Sequence, residues 1–120
     1  MEPILWEPSR ELLTTSQMAI FRDQIENRFS VSLPAYADLY EWSVSHIPDF
    51  WQLMWEFSDV RYRVPPESVV DDVHRMPGAQ WFSGAQLNFA ENLLRYRDDH
   101  PALYFQGEGQ IPRTLTYREL

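Results

Sequence analysis

Residues 76–95 read MPGAQWFSGAQLNFAENLLR, and this stretch decides how the fold is interpreted. It opens with a Pro-Gly turn, continues with an adjacent aromatic pair, Trp81 and Phe82, and turns again at Gly84. Glycine and proline mark chain reversals, and large rings between two reversals are typical of side chains anchored in a core. We therefore predict a loop here that places two rings in a core.

The second half of this stretch predicts a helix. Asn88 is a favoured N-cap residue, and Glu91 follows three positions later, which is the amide variant of a capping box. The spacing of Phe89, Leu93 and Leu94 then predicts that these side chains face inward.

Three further helices are predicted towards the N-terminus. Thr14 and Gln17 form a hydroxyl cap with Gln three residues on, and apolar side chains follow at helical spacing. These are Met18, Phe21, Ile25 and Phe29. A second helix is expected over residues 35–45, and Pro48 suits the first turn of a third. The buried side of the second is predicted to hold Tyr36, Leu39, Tyr40 and Val44, and that of the third Phe50, Trp51, Met54 and Trp55.

The C-terminal part is predicted to form a hairpin. Residues 102–106 and 113–116 have strand composition, and Gly107-Glu108-Gly109-Gln110 between them reads as a turn. Thr116 and Glu119 then form a capping box that would begin another helix. The fold class is therefore α+β. We expect a mainly helical region over residues 1–100, and the first hairpin of a larger sheet domain over residues 101–120.

Composition excludes several classes of function. The net charge is −8, and residues 1–60 carry ten acidic residues against three Arg, so we expect neither nucleic acid nor an anionic membrane as partner. The chain has no Cys and no apolar run long enough to cross a membrane, which suits a cytoplasmic protein. It also has no Lys, which excludes a P-loop lysine and a Schiff base.

No constellation of catalytic or ligand-binding residues stands out. Asp71, Asp72 and His74 share one loop, but three polar groups without a fourth ligand are a weak metal signal. His46, His74 and His100 are scattered, and the pair Asp98-Asp99 reads as exposed turn acids. We predict no catalytic, cofactor-binding or metal-binding residue in this chain.

Much of the chain resembles the region ahead of the AMP-binding domain in acyl-CoA synthetases of the adenylate-forming superfamily. The matching segments are residues 6–8, 40–44, 50–51, 76–95 and 115–120. Residues 76–95 are the most specific, and 115–120 are similar to the start of that domain across the superfamily. Acetyl- and propionyl-CoA synthetases typically continue Asn-Cys-x-Asp where this chain has Asn92-Leu93-Leu94-Arg95, which favours the acetoacetyl-CoA branch.

The resemblance implies a parent enzyme that joins acetoacetate to coenzyme A through an acyl-adenylate, using ATP and Mg²⁺. The family's phosphate loop, hinge and catalytic lysine lie beyond residue 120, so ATP, CoA and Mg²⁺ are implied for the parent and not for this chain. The expected partner is the rest of the adenylation domain. Two alternatives stay open: an interaction module from a split or truncated gene, and the same region of another short-chain acyl-CoA synthetase.

Overall fold

The computed structural model describes residues 5–120 as two compact units. The first unit runs to Asp59 and includes Val73–Pro77. The second unit comprises Val60–Asp72 and Gly78–Leu120. The division predicted at residue 100 stays a prediction.

The first unit is helical, as predicted. It contains the three predicted helices, α2 (Gln17–Phe29), α3 (Tyr36–Ser45) and α4 (Ile47–Phe57), and ahead of them the short α1 (Leu12–Thr15), which was not predicted. Pro48 lies in the first turn of α4, where the missing N–H costs nothing.

The cap of α2 is one place where the sequence-based prediction was wrong. The residue that caps this helix is Ser16, whose Oγ accepts a hydrogen bond from Ala19 N at 3.2 Å. Thr14 lies in α1, and its hydroxyl donates to Glu11 O instead, at 3.0 Å. Ser16 has the extended backbone conformation that an N-cap needs, because the chain changes direction there between the two helices.

Side chains of α2, α3 and α4 and of the loop before α3 pack into one core. Its buried members are Phe21, Ile25, Leu33, Leu39, Trp42 and Leu53. The predicted inner side of α3 was partly wrong, because Leu39 is buried whereas Tyr36, Tyr40 and Val44 are exposed. The apolar residues of α3 cover more than half of its circumference, so spacing alone does not choose the side that packs inward.

The second unit begins with two short strands, β1 (Ser68–Val70) and β2 (Trp81–Ser83). They pair antiparallel, with Ser68 opposite Ser83 and Val70 opposite Trp81. An isolated bridge joins Val64 to Gln86. The helix α5 (Phe89–Leu93) follows, and the predicted cap is confirmed, since Asn88 Oδ1 accepts a hydrogen bond from Glu91 N at 3.1 Å.

The predicted burial around this helix was wrong for Trp81, Phe89 and Leu93. Trp81 is 43% exposed, Phe89 is 79% exposed and Leu93 is also exposed, while Phe82 and Leu94 are half-buried. Trp81 and Phe82 belong to a strand and not to a core-filling loop. The pairing that creates this strand joins residues eleven and fifteen positions apart, which a local pattern does not contain. Among residues 5–120, every buried hydrophobic side chain lies in the first unit.

The predicted C-terminal hairpin is confirmed. It consists of β3 (Pro101–Phe105) and β4 (Arg113–Thr116), with Leu103 opposite Leu115 and an irregularity between Pro101 and Leu103. Glu119 accepts hydrogen bonds from Thr116 N at 2.8 Å and Oγ1 at 3.0 Å, but residues 117–119 form a turn instead of the predicted helix start. One turn is too short to stabilise a helix. The α+β class is as predicted.

Candidate functional site

The loop that follows β1 contains Asp71, Asp72 and His74, which gave a weak metal signal in the sequence. The side chain of Asp71 holds the backbone of this loop through hydrogen bonds. Asp71 Oδ1 accepts hydrogen bonds from Asp72 N at 2.7 Å and from Gln80 N at 2.8 Å. Asp71 N also donates to Gln80 O at 3.2 Å. These bonds continue the β1–β2 pairing past its end. Over residues 5–120, no group of three or more His, Cys, Asp or Glu side chains is arranged to hold a metal ion.

His46 lies at the junction of α3 and α4. Its ring stacks on the indole of Trp42, with centroids 5.1 Å apart and planes 9° apart. Its Nδ1 lies 3.2 Å from Trp42 O and 3.1 Å from Ser45 Oγ. All these partners belong to the end of α3, so the imidazole helps to form the junction between the helices.

His100 lies in a shallow depression of about 290 Å³ in the second unit, lined by Tyr96, Asp98, His100 and Tyr117. Asp98 Oδ1 accepts from His100 N at 3.0 Å and lies 3.0 Å from its Nδ1. The backbone hydrogen bond from His100, followed by the side-chain contact, lowers the pKa of Asp98. The imidazole is exposed, so this pair does not form a site that excludes water.

Residues 98–100 are bound to residues 117 and 118 near the C-terminus of the chain. Arg118 binds Asp99 through two nitrogens, at 2.7 and 3.2 Å, and its backbone N donates to Asp98 O at 2.9 Å. Tyr117 N donates to His100 O at 3.0 Å. Residues 98–100 therefore hold in place the residues that follow β4. Asp98 and Asp99 both contribute to this attachment.

The glycines of the hairpin serve its turn. Gln110 N donates to Gly107 O at 3.2 Å, and Gly109 has a φ of 66°, which residues with a side chain adopt less readily. No phosphate-binding loop is formed by this segment.

An apolar groove on the first unit is the feature that sequence reasoning missed. It has a volume of about 340 Å³ and lies between α2, α3 and α4. Phe21, Leu39 and Phe50 form its floor. Its rim includes Met18, Tyr36 and Tyr40, and the two tyrosines had been predicted to lie in the core. The sequence held one indication of the groove. Apolar residues cover more than half of the circumference of α3, which is more surface than a single core can bury.

Comparison with known proteins gives the family context. Residues 36–93 match the family described as the acetyl-coenzyme A synthetase N-terminus. No solved structure matches the chain significantly. Within the described residues, no helix has the length and apolar character needed to span a bilayer.

The individual relatives are synthetases of CoA esters. An acetoacetyl-coenzyme A synthetase of Rhizobium meliloti is 41% identical over 116 residues, which is 97% of this chain and 18% of that protein. The acetoacetyl-CoA synthetase of Xenopus tropicalis is 36% identical over 120 residues, again 18% of its length. A malonamoyl-CoA synthetase of Penicillium aethiopicum is 40% identical over 94 residues, or 78% of this chain and 13% of the relative.

The chain thus spans less than a fifth of the length of these relatives. The similarity nevertheless extends through both units, and it confirms the resemblance found in residues 76–95. The chain is thus similar over nearly its whole length to the N-terminal region of the acetoacetyl-CoA synthetases.

Proposed function

We propose that this chain is the N-terminal structural portion of an ATP-dependent, AMP-forming acetoacetate–CoA ligase. The observation that carries the proposal is the 41% identity with an acetoacetyl-CoA synthetase over 97% of the chain. In the proposed reaction the carboxylate of acetoacetate attacks the α-phosphorus of ATP and releases diphosphate. The thiol of CoA then displaces AMP from the acyl-adenylate and forms acetoacetyl-CoA.

The role that we assign to this chain within that enzyme is architectural. Adenylate formation needs positive groups or a metal ion around the transferred phosphorus. The described residues provide no metal-binding cluster, so they do not fit a Mg²⁺ site, and the chain contains no Lys. Asp71 and His46 bond to nearby backbone and ring groups. ATP, CoA and Mg²⁺ are therefore assigned to the rest of the proposed enzyme.

A second candidate is the same position in a synthetase for another short acyl group. The match to a malonamoyl-CoA synthetase over 94 residues favours keeping this candidate. This second candidate differs from the first in the acyl substrate of the proposed enzyme. The architectural role of the chain is the same in both.

The proposal is tested by exchanging the homologous segment. The region of the Rhizobium meliloti synthetase that matches this chain is replaced by residues 1–120, and formation of acetoacetyl-CoA is measured. We expect kcat/KM within about tenfold of the parent value, a barrier difference of roughly 1.4 kcal/mol. The control is the same synthetase without the segment, which we expect to be inactive. A folded but inactive chimera would contradict the proposal.

The architectural role has its own test. The purified 120-residue chain is incubated with ATP, acetoacetate and CoA, and AMP is measured. We expect no AMP above the level without protein. AMP formation that depends on acetoacetate would show that the chain itself is catalytic.

A further inference from the structure

The groove between α2, α3 and α4 is built to remain open. Its floor is a fixed aromatic arrangement, in which the ring of Phe21 makes edge contacts with Phe50 at 5.6 Å and Phe57 at 5.0 Å between centroids. Phe21 and Leu39 also belong to the buried core of the first unit. The floor is therefore held in place without any occupant, which lowers the cost of binding one.

The rim of the groove exposes apolar surface that the first unit does not use in its own core. Met18 is 56% exposed, and Tyr36 and Tyr40 are also exposed. Contiguous exposed apolar surface next to a preformed groove is typical of an interaction site. Met18 and Met54, which both line it, have flexible side chains that adapt to an incoming surface.

The charge of the groove restricts what it can bind. None of its lining residues is charged, and its polar groups are hydroxyls and one amide. Two arginines of α2 already have acidic partners, since Arg22 pairs with Asp23 and Arg28 pairs with Glu56. A phosphate or carboxylate ligand would be desolvated there without a counter-charge. This argues against ATP, CoA and acetoacetate and favours an uncharged apolar occupant.

We propose that this groove seats an apolar helix face from the part of the polypeptide that the relatives have beyond the matched region. The inference rests on the proposed function. The matched region is only 18% of the acetoacetyl-CoA synthetases, so most of such an enzyme is available to cover it. A volume of about 340 Å³ between three helices suits two or three apolar side chains of one helix, in the helix-in-groove mode of recognition.

The test places a charge on the rim. Met18→Glu is made in the chimera described above and in the isolated chain, with Met76→Glu as the matched control. Met76 is in the same unit, is 94% exposed and does not line the groove. Met and Glu have similar helix propensities, so the change at Met18 does not weaken α2 itself. Tyr40→Glu provides a second rim variant.

We expect both rim variants to shorten the half-life of chimera activity on heating about tenfold, because a buried unpaired carboxylate costs stability. Met76→Glu should change it less than about twofold. In the isolated chain all three variants should unfold at the same urea concentration as the unsubstituted chain. Hydrogen exchange in residues 17–21 and 36–43 should be slower in the chimera than in the isolated chain, and Met18→Glu should remove the difference.

Three outcomes would overturn the inference. Equal half-lives for Met18→Glu and Met76→Glu in an active chimera would show that the groove is not covered. An equal loss of stability from Met18→Glu in the isolated chain would assign the side chain to its own unit. Self-association of the isolated chain that Met18→Glu abolishes would identify a second copy as the occupant. Failure of the proposed function is distinct, because the unsubstituted chimera would then be inactive.

Discussion

Asn92 shows how single polar residues of this chain act on the backbone. Its Oδ1 accepts a hydrogen bond from Arg61 N at 2.8 Å, and its Nδ2 donates to Arg61 O at 2.8 Å and to Asn88 O at 2.9 Å. The amide therefore pairs with Arg61 much as a neighbouring strand would. One side chain attaches the extended segment around Arg61 to the helix that follows Asn88.

Asn92→Ala should release this segment. Two hydrogen bonds to Arg61 are lost, at about 1 kcal/mol each. We expect the amide of Arg61 to exchange with solvent at least about tenfold faster, measured by NMR-detected hydrogen exchange. Asn27→Ala, at an exposed position of α2, is the control and should leave that amide unchanged. Unchanged protection of Arg61 in Asn92→Ala would show that other contacts hold the segment.

At the scale of elements, α2 and α4 are joined by an ion pair at the surface. Arg28 binds Glu56 through two nitrogens, and Gln52 Nε2 donates to Glu56 Oε1 at 2.8 Å. The hydrogen bond from Arg28, followed by that from Gln52, lowers the pKa of Glu56. Both partners are exposed to water, so the link is screened and contributes modestly to stability.

Glu56→Gln should therefore have a pH-dependent effect. A carboxylate whose pKa is lowered by folding stabilises the fold fully above its unfolded pKa, and this stabilisation is lost as the pH falls through the folded pKa. We expect the variant to lose about 0.5 kcal/mol of unfolding free energy at pH 7 and less than that at pH 3, by urea titration. Glu41→Gln is the control. A loss of the same size at pH 3 would contradict the ionic explanation.

Local sequence signals predicted the elements better than the faces they bury. Hydroxyl residues, proline and glycine near the ends of α2, α3, α4 and the hairpin act within a few residues and located these elements, although the residue that caps α2 is Ser16 and not Thr14. The inner side of α3 depends on Leu53 and Ile25 from other helices, and β2 depends on a partner strand across an intervening loop. The groove was missed for the same reason, because Tyr36 and Tyr40 are apolar enough for a core but lie beyond its edge.

At the scale of the whole molecule, the two units differ in how they are stabilised. The buried side chains lie in the first unit, among the described residues, with Ile25 at its centre and 0% exposed. The second unit has backbone pairing and turn contacts, and it exposes Phe89, Leu103 and Tyr104. A hairpin and a short strand pair are marginal alone, so we expect the second unit to be the less stable.

Ile25→Ala should destabilise the helical unit strongly. Removing a fully buried isoleucine side chain leaves a cavity and costs about 2–5 kcal/mol. Ile20→Ala is the matched control, because Ile20 lies on the exposed side of the same helix, and it should cost less than about 1 kcal/mol. Urea denaturation followed by circular dichroism at 222 nm measures both. Equal costs would show that Ile25 is not the centre of the core.

Arg28 and Arg118 form ion pairs, and arginine supplies every positive side chain in this sequence. This composition determines how the chain reacts with amine-labelling reagents. A guanidinium is not acylated by the esters that label amines, and it stays charged at any pH that proteins tolerate. Such reagents therefore find one target in the 120-residue chain, the α-amino group, whose pKa is about 7.7–8. A dye or cross-linker can be attached at a single defined atom while both ion pairs stay intact.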